Sequence, residues 1–312
     1  MRSPTENRDW YRNLILNGDC IDELRKLPNS IGTACITDPP YNYEFIGKNW
    51  SHDEIKRRLD NVADIKKTTL VKNIPYGSGL SGGVRNEKWY QKVHKNIVDY
   101  ASWCKSWAEE LYRVLKPGAT VLVFNSTRTI AHVQVALEDV GFYARDILVY
   151  RRPSGIPKGA NLSSQMSKIG HEDSHKWDGY HSALRGEWEA ICVVQKPLNK
   201  NYLTTFLEHG TSVFNAKSES ESFQSNILEG LYKKGQDERF DVHCTTKPLM
   251  LMEKLIEIFV PPTANALVLD PFAGTGTTLV AAKRRGIDYL GIELEPKYFE
   301  VIQRRLEEVQ PK

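Results

Sequence analysis

The chain has no Cys-x-x-Cys pair, and its five cysteines, Cys20, Cys35, Cys104, Cys192 and Cys244, form an odd and scattered set. Such spacing argues against a disulfide framework and against a zinc knuckle, and fits a reducing compartment. No apolar run approaches the ~18 residues a membrane-spanning helix needs. The opening MRSPTENRDWYRNLIL has no apolar core of the kind a secretory signal carries after its basic residue. A cytoplasmic protein, neither secreted nor membrane-bound, is therefore expected. A large charge imbalance is missing too: the net charge of +3 permits a polyanionic partner without requiring one. Internal repeats and low-complexity tracts are absent. What is present, 312 residues with 40% hydrophobic and 26% charged side chains, suits one large globular domain or two smaller ones.

Strand-like and helix-like segments alternate, as in a doubly wound α/β sheet. LILNGD (14–19), ACITD (34–38), ATVLVF (119–124), DILVYRR (146–152), EAICVVQ (189–195), ALVLD (266–270) and YLGIEL (289–294) read as strands. VDYASWCKSWAEELYRVLKPG reads as a helix, with Ala101, Cys104, Ala108, Leu111, Tyr112 and Leu115 on one stripe and a stop at Pro117-Gly118. TIAHVQVALEDVGF, KPLMLMEKLIEIFV, LVAAKRRG and PKYFEVIQRRLEEV are helical by the same criteria. Two segments break the alternation. Residues 42–90 are polar, carry more basic than acidic residues and are far too long for an ordinary connection, which suggests a mobile functional loop. Residues 198–242 are irregular and rich in Ser and Asn, with no basic excess; Tyr202, Phe206 and Phe214 there suit a small core better than a stacking surface. SGIPKGANLSSQ (154–165), following Arg151 and Arg152, is suited to phosphate contacts or to a plain solvated loop.

Two strands end in a carboxylate followed by proline. DPFAGTGTT (270–278) follows an apolar strand and opens a helix, so Gly274 and Gly276 let the backbone approach a ligand at the sheet edge. A phosphate-binding loop needs Lys where Thr277 stands, and a dinucleotide fingerprint needs a third Gly near Leu279. What fits is a ligand with a sugar and little phosphate, its ribose held by Glu293 at the end of the next strand. In DPPY (38–41) the two prolines stiffen the chain and remove two N–H donors, leaving the Asp38 carboxylate and the Pro39 carbonyl as a rigid acceptor pair. Such a pair suits an exocyclic amino group on a base, with Tyr41 placed to stack on the flipped ring. Alone, DPPY reads equally well as a strand-terminating turn; paired with the second motif, that reading loses most of its weight.

DPPY and DPFAGTGTT, with GDCIDELRKLP ahead of the first and HCTTKP (243–248) ahead of the second, resemble the β-class S-adenosylmethionine-dependent DNA amino-methyltransferases, the N6-adenine/N4-cytosine family, in which the catalytic motif precedes the cofactor motif. RVLKPGATVLVF and WDGYHSALRGEWEAICVVQKP extend the resemblance through the middle of the chain; His243-Cys244 departs from the family's His-Pro. The resemblance implies an α/β, Rossmann-like methyltransferase fold, circularly permuted, with a mixed, mostly parallel seven-stranded sheet. It implies a catalytic half at 1–197, including a DNA-contacting loop at 42–90, a target-recognition insertion at 198–242, and a cofactor-binding half at 243–312. Asp38, Pro39, Pro40 and Tyr41 would be catalytic. S-adenosyl-L-methionine, leaving as S-adenosyl-L-homocysteine, would lie among Asp270, Phe272, Ala273, Gly274, Thr275, Gly276 and Thr277, with its ribose on Glu293, its adenine by Asp19 and Cys20, and its carboxylate by Thr246 and Lys247.

The implied reaction is methyl transfer to an exocyclic nitrogen of a base flipped out of double-stranded DNA, with no metal. DPPY leans to adenine N6, and cytosine N4 is the alternative. Cytosine C5 chemistry would call for a Pro-Cys nucleophile, and no cysteine here follows a proline. An RNA or protein amide methyltransferase tends to Asn at position 38. A homodimer and a cognate restriction endonuclease are compatible with the resemblance, as is a bacterial or phage origin. HEDSHKWDGYH (171–181) imitates a zinc-protease motif, but Asp173, Ser174, Asp178 and Gly179 are poor helix formers, so His171 and His175 are not expected on one face of a helix.

Overall fold

The computed structural model describes residues 9–41, 87–152, 159–217, 222–232 and 246–309. The strands are β1 Leu14–Asn17, β2 Gly32–Thr37, β3 Leu115–Asn125, β4 Tyr143–Arg151, β5 Trp188–Gln195, β6 Ile227–Leu228, β7 Leu267–Asp270 and β8 Asp288–Glu293. They form one sheet in the order β1-β8-β7-β2-β3-β5-β4-β6. The run from β1 to β3 is parallel throughout, whereas β5 runs antiparallel to β3. All seven expected strands are present. The eighth, β6, adds two residues parallel to β4 and is too short to leave a periodic signature.

The helices are α1 Cys20–Arg25, α2 Glu87–Val114, α3 Ile130–Val140, α4 Leu162–Lys168, α5 Tyr202–His209, α6 Leu249–Phe259, α7 Thr277–Arg284 and α8 Pro296–Glu308. Successive strand residues point to opposite faces of the sheet, and this alternation divides the core in two. Cys35, Val121, Val123, Cys192, Leu269 and Ile292 pack with α1, α2 and α3. Ala34, Ile36, Leu122, Phe124, Ile191 and Val268 pack with α6, α7 and α8. Every residue of β2 is buried, as a central parallel strand covered on both faces requires.

The chain divides into two compact units, one drawn from segments 1–48, 93–150 and 189–312 and the other from 49–92 and 151–188. The first holds the sheet and its helices. In the second, α4 is followed by a short 3-10 helix, Glu172–Trp177, and Asn161 bridges to His181. His171 caps that 3-10 helix by accepting from the Asp173 amide at 3.3 Å. With three residues per turn, positions 171 and 175 do not stack as they would on an α-helix.

Some expectations change. The helix expected to stop at Pro117-Gly118 ends at Val114, and β3 begins at once because Leu115 pairs with Gly32 of β2. Of the expected loop at 42–90, residues 87–90 begin α2, and the remainder lies outside the described residues, as do 153–158. Of Tyr202, Phe206 and Phe214, the last joins the core on the α6 face of the sheet rather than a small core of its own. Phe214 stacks edge-on against Phe259 of α6, 4.8 Å between centroids, while Tyr202 lies under Arg145 and is 47% exposed.

Candidate active site

β2 and β7 are neighbours in the sheet, with Ala34 opposite Val268 and Cys35 opposite Leu269, although more than 230 residues separate them in sequence. DPPY and DPFAGTG therefore leave the same C-terminal edge side by side. A side-chain bond ties them: Thr37, the last residue of β2, donates its hydroxyl to Asp270 Oδ1 at 2.7 Å. The Phe272 amide donates to the same oxygen at 3.2 Å. Burial pushes the Asp270 carboxyl up to about 6, with the bonds from Thr278, Thr37 and Phe272 working in the opposite direction.

The glycine turn is held from three directions. Gly276 donates its amide to Ala273 O at 2.7 Å and has a left-handed φ of 79°, which favours glycine. Glu293, at the end of β8, accepts the Gly274 amide at 2.7 Å on one oxygen and the Glu295 amide at 2.9 Å on the other. Burial raises its carboxyl to about 7 despite those two bonds. Arg305 of α8, buried at 3% exposure, donates to Thr275 O at 2.7 Å and to the hydroxyls of Thr275 and Thr277 at 3.2 Å each. Phe272 packs its ring against Trp103 and Trp107, and Ala273 is buried.

β1 ends beside β8, where the Gly18 amide donates to Glu293 O at 3.0 Å. Asp19 follows as the N-cap of α1, its Oδ1 accepting the amides of Ile21 and Asp22, and Cys20 is buried. Asp19 and Glu293 thus share the edge that presents Asp38 and Asp270. A nucleoside with a short charged tail fits this edge: over Gly274 a β-carbon would meet nothing within 4 Å, and Asp38 Oδ1 is buried without a hydrogen-bond partner.

Thr246 and Lys247 divide between the two motifs. The Thr246 hydroxyl lies 3.4 Å from that of Thr275. Lys247, 8% exposed, reaches the other way: its Nζ donates to Asp38 Oδ2 at 2.6 Å and to the Tyr41 hydroxyl at 3.1 Å, and lies 3.4 Å from Glu189 Oε2. Its ammonium also sits 5.5 Å from the Tyr41 ring centroid and 5.0 Å from that of Phe124. Burial works against this cation, yet Asp38, Tyr41 and Glu189 together hold it well above its ordinary pKa. Burial raises the Asp38 carboxyl, with Lys247 opposing and Glu189 adding to the rise. Pro39 is buried, Pro40 and Tyr41 are half-buried, and the Tyr41 carbonyl accepts from Thr129 at 3.3 Å.

Sequence reasoning overlooked several of these residues. Glu189 enters the site because β5 runs antiparallel, which brings its N-terminal end to the edge where Ala190 pairs with Asn125. A charged residue opening the apolar run EAICVV was the available signal. For Arg305 the signal was stronger, since it lies on the buried stripe Tyr298, Val301, Ile302 and Leu306. The partnership of Thr37 with Asp270 had no local signal.

The chain resembles known proteins in both sequence and fold. The N6_N4_Mtase family model, DNA methylase, matches residues 33–304. The chain is 30% identical over 304 residues to Type II methyltransferase M.HindIII of Haemophilus influenzae, covering 94% of both chains. It is 28% identical to Type II methyltransferase M.HinfI of Haemophilus influenzae, over 98% of this chain and 71% of that one. Among solved structures, PvuII DNA methyltransferase (cytosine-N4-specific) superimposes with a TM-score of 0.56 at 15% identity, covering 96% of this chain and 94% of the other. M1.HpyAVI in its SAM complex does so with a TM-score of 0.50 at 20% identity, covering 94% and 98%. At these identities the two structures establish the shared Rossmann-like methyltransferase fold.

Proposed function

The chain belongs to the N6/N4 DNA methylase family, and from that premise we propose that it transfers a methyl group from S-adenosyl-L-methionine to N6 of an adenine flipped out of double-stranded DNA. The observation that carries the reading is the Asp38 carboxylate. One of its oxygens is buried and unpartnered, it stands on a proline-stiffened turn, and Thr37 ties that turn to Asp270 beside the glycine loop. The DPPY sequence supports adenine. The SAM-bound M1.HpyAVI structure of the same fold supports the cofactor.

When bound, the cofactor supplies an activated sulfonium methyl group, so no nucleophile of the protein has to form a covalent intermediate. Gly274, Gly276 and Thr275 cradle its methionine part, Phe272 and Asp270 stand alongside, Glu293 holds its ribose, and Asp19 and Cys20 meet its adenine. Asp38 and the Pro39 carbonyl accept the two N–H bonds of the target amino group, which turns its lone pair toward the methyl and stabilises charge developing on nitrogen. Tyr41 lines the base side of the pocket. Residues 42–90 and 198–242 contact DNA and read its sequence. A homodimer, a cognate endonuclease and a cytoplasmic place of action belong to the same proposal.

The test is incubation with unmethylated genomic DNA and methyl-labelled S-adenosylmethionine, followed by nucleoside digestion and mass spectrometry. N6-methyldeoxyadenosine is expected. N4-methyldeoxycytidine would overturn the base assignment, and no labelled nucleoside, despite cofactor binding, would overturn the substrate. Asp38→Ala should retain cofactor binding and lose transfer; wild-type turnover by that variant would refute its catalytic role.

A further inference from the structure

The resemblance assigns Lys247 to the cofactor carboxylate, but its side chain is committed elsewhere. Its Nζ lies 2.6 Å from Asp38 Oδ2, 3.1 Å from the Tyr41 hydroxyl and 3.4 Å from Glu189 Oε2. All three side chains are largely enclosed: Lys247 is 8% exposed, and Asp38 and Glu189 are 18% exposed each. Among the described residues, the Lys247 ammonium is shared between two carboxylates, Asp38 at hydrogen-bond distance and Glu189 somewhat farther off. That sharing matters for an acceptor. Asp38 with Lys247 alone would be a neutralised pair with its charge directed at the ammonium. Asp38 with Glu189 alone would be two carboxylates in one enclosed space, a situation that protonates one of them. A protonated Asp38 donates a hydrogen bond where the reaction requires an acceptor.

We infer that Lys247 and Glu189 are positioning residues for the transfer step: Lys247 holds Asp38 ionised and oriented through Oδ2, leaving Oδ1 for the target amino group, and Glu189 draws off part of the ammonium charge so that Asp38 remains a strong acceptor. The assignment rests on Asp38 being the acceptor of the amino group. Among the described residues, the other titratable groups facing Asp38 are Tyr41 on its own loop, Tyr100 of α2 and Asp270 of β7. All are retained in the variants below.

The experiment measures kcat, the cofactor KM and the pH profile of kcat on unmethylated genomic DNA for Lys247→Met, Glu189→Gln, the double variant and Asp38→Asn. Circular dichroism and cofactor binding check folding. Lys247→Met should lower kcat at neutral pH by tenfold or more with the cofactor KM little changed, and should move the acid limb of the profile upward by about one pH unit or more. Glu189→Gln should lower the plateau and move the acid limb downward. Adding Glu189→Gln to Lys247→Met should raise kcat at neutral pH, because it removes the repulsion that protonates Asp38. Merely structural damage would lower plateaus additively without moving either limb, and that result would overturn the inference. So would a raised cofactor KM with unchanged kcat in Lys247→Met, which would return the lysine to the cofactor carboxylate. Should Lys247→Met fail to fold, the direction of the Glu189→Gln limb decides. Full activity in Asp38→Asn would instead sink the underlying reading of Asp38, so the two failures are distinguishable.

Discussion

Replacing Gly276 by alanine probes how helix α8 shapes the cofactor loop. Gly276 has a φ of 79°, and an alanine in the left-handed region costs about 1–2 kcal/mol. A β-carbon at 276 would also lie 2.8 Å from Ile302 Cγ2 and 3.0 Å from Cγ1. Ile302 is fully buried on α8, so neither atom has open space to move into, and overpacking of this kind costs about 1–3 kcal/mol. The sum is a destabilisation of about 2–5 kcal/mol. Gly274 supplies the control, because its φ of 56° is also left-handed but a β-carbon there meets nothing within 4 Å. Gly274→Ala should therefore cost only the conformational part, about 1–2 kcal/mol. Urea unfolding monitored by circular dichroism measures both, provided the m-value stays constant. Ile302→Ala is costly by itself, but combined with Gly276→Ala it should cost about 1–3 kcal/mol less than the sum of the single changes. Equal losses for the two glycine variants, together with strict additivity in the double, would refute the clash.

The proposed ribose role of Glu293 predicts that cofactor binding depends on pH. Its carboxyl, raised by burial to about 7 from an ordinary 4.5, binds its proton more tightly in the folded chain than in the unfolded one. Acidification from pH 7 toward 4.5 should therefore stabilise the cofactor-free protein through this group, and the cost of the buried anion is incurred as pH rises through that window. With Glu293 accepting from the ribose hydroxyls as the anion, as proposed, S-adenosylmethionine affinity by calorimetry should weaken by up to about tenfold for each pH unit below 7, with proton release on binding. Glu293→Gln should bind weakly at every pH, and a wild-type affinity that is flat between pH 6 and 8 would contradict the ribose role. Arg305→Met removes the donors to Thr275 O and to the hydroxyls of Thr275 and Thr277, and should cost about 1–3 kcal/mol in urea unfolding together with cofactor affinity. Unchanged unfolding and binding would show that α8 does not brace the loop through this residue.

Much of the fold was legible because strands and helices announce themselves locally. The apolar runs at 34–37 and 266–270 appear as β2 and β7, and the stripes at 130–140, 249–259 and 296–308 appear as helices. Boundaries were less legible where pairing overrides propensity: Lys116-Pro117-Gly118 reads as a helix stop, yet Leu115 is already paired with Gly32. The two-residue β6 and the short helices α4 and α5 carry too little periodicity to be heard above their polar surroundings.

Which residues end strands in carboxylates, and where glycines permit a close backbone approach, could be read along the chain, since both depend on sequence neighbours. That Asp38, Asp270, Gly274, Gly276 and Glu293 belong to one site was implied by the family resemblance those motifs carry. The partners of those residues were set by the folded arrangement. Lys247 turns to Asp38 and Glu189, Thr37 binds Asp270, and Arg305 clasps Thr275, across separations of 209, 233 and 30 residues for the Lys247, Thr37 and Arg305 bonds to Asp38, Asp270 and Thr275. Sheet order and strand direction set those meetings. An enclosed charge settles on whichever opposite charge or donor the fold brings within about 3 Å, a choice no local pattern records.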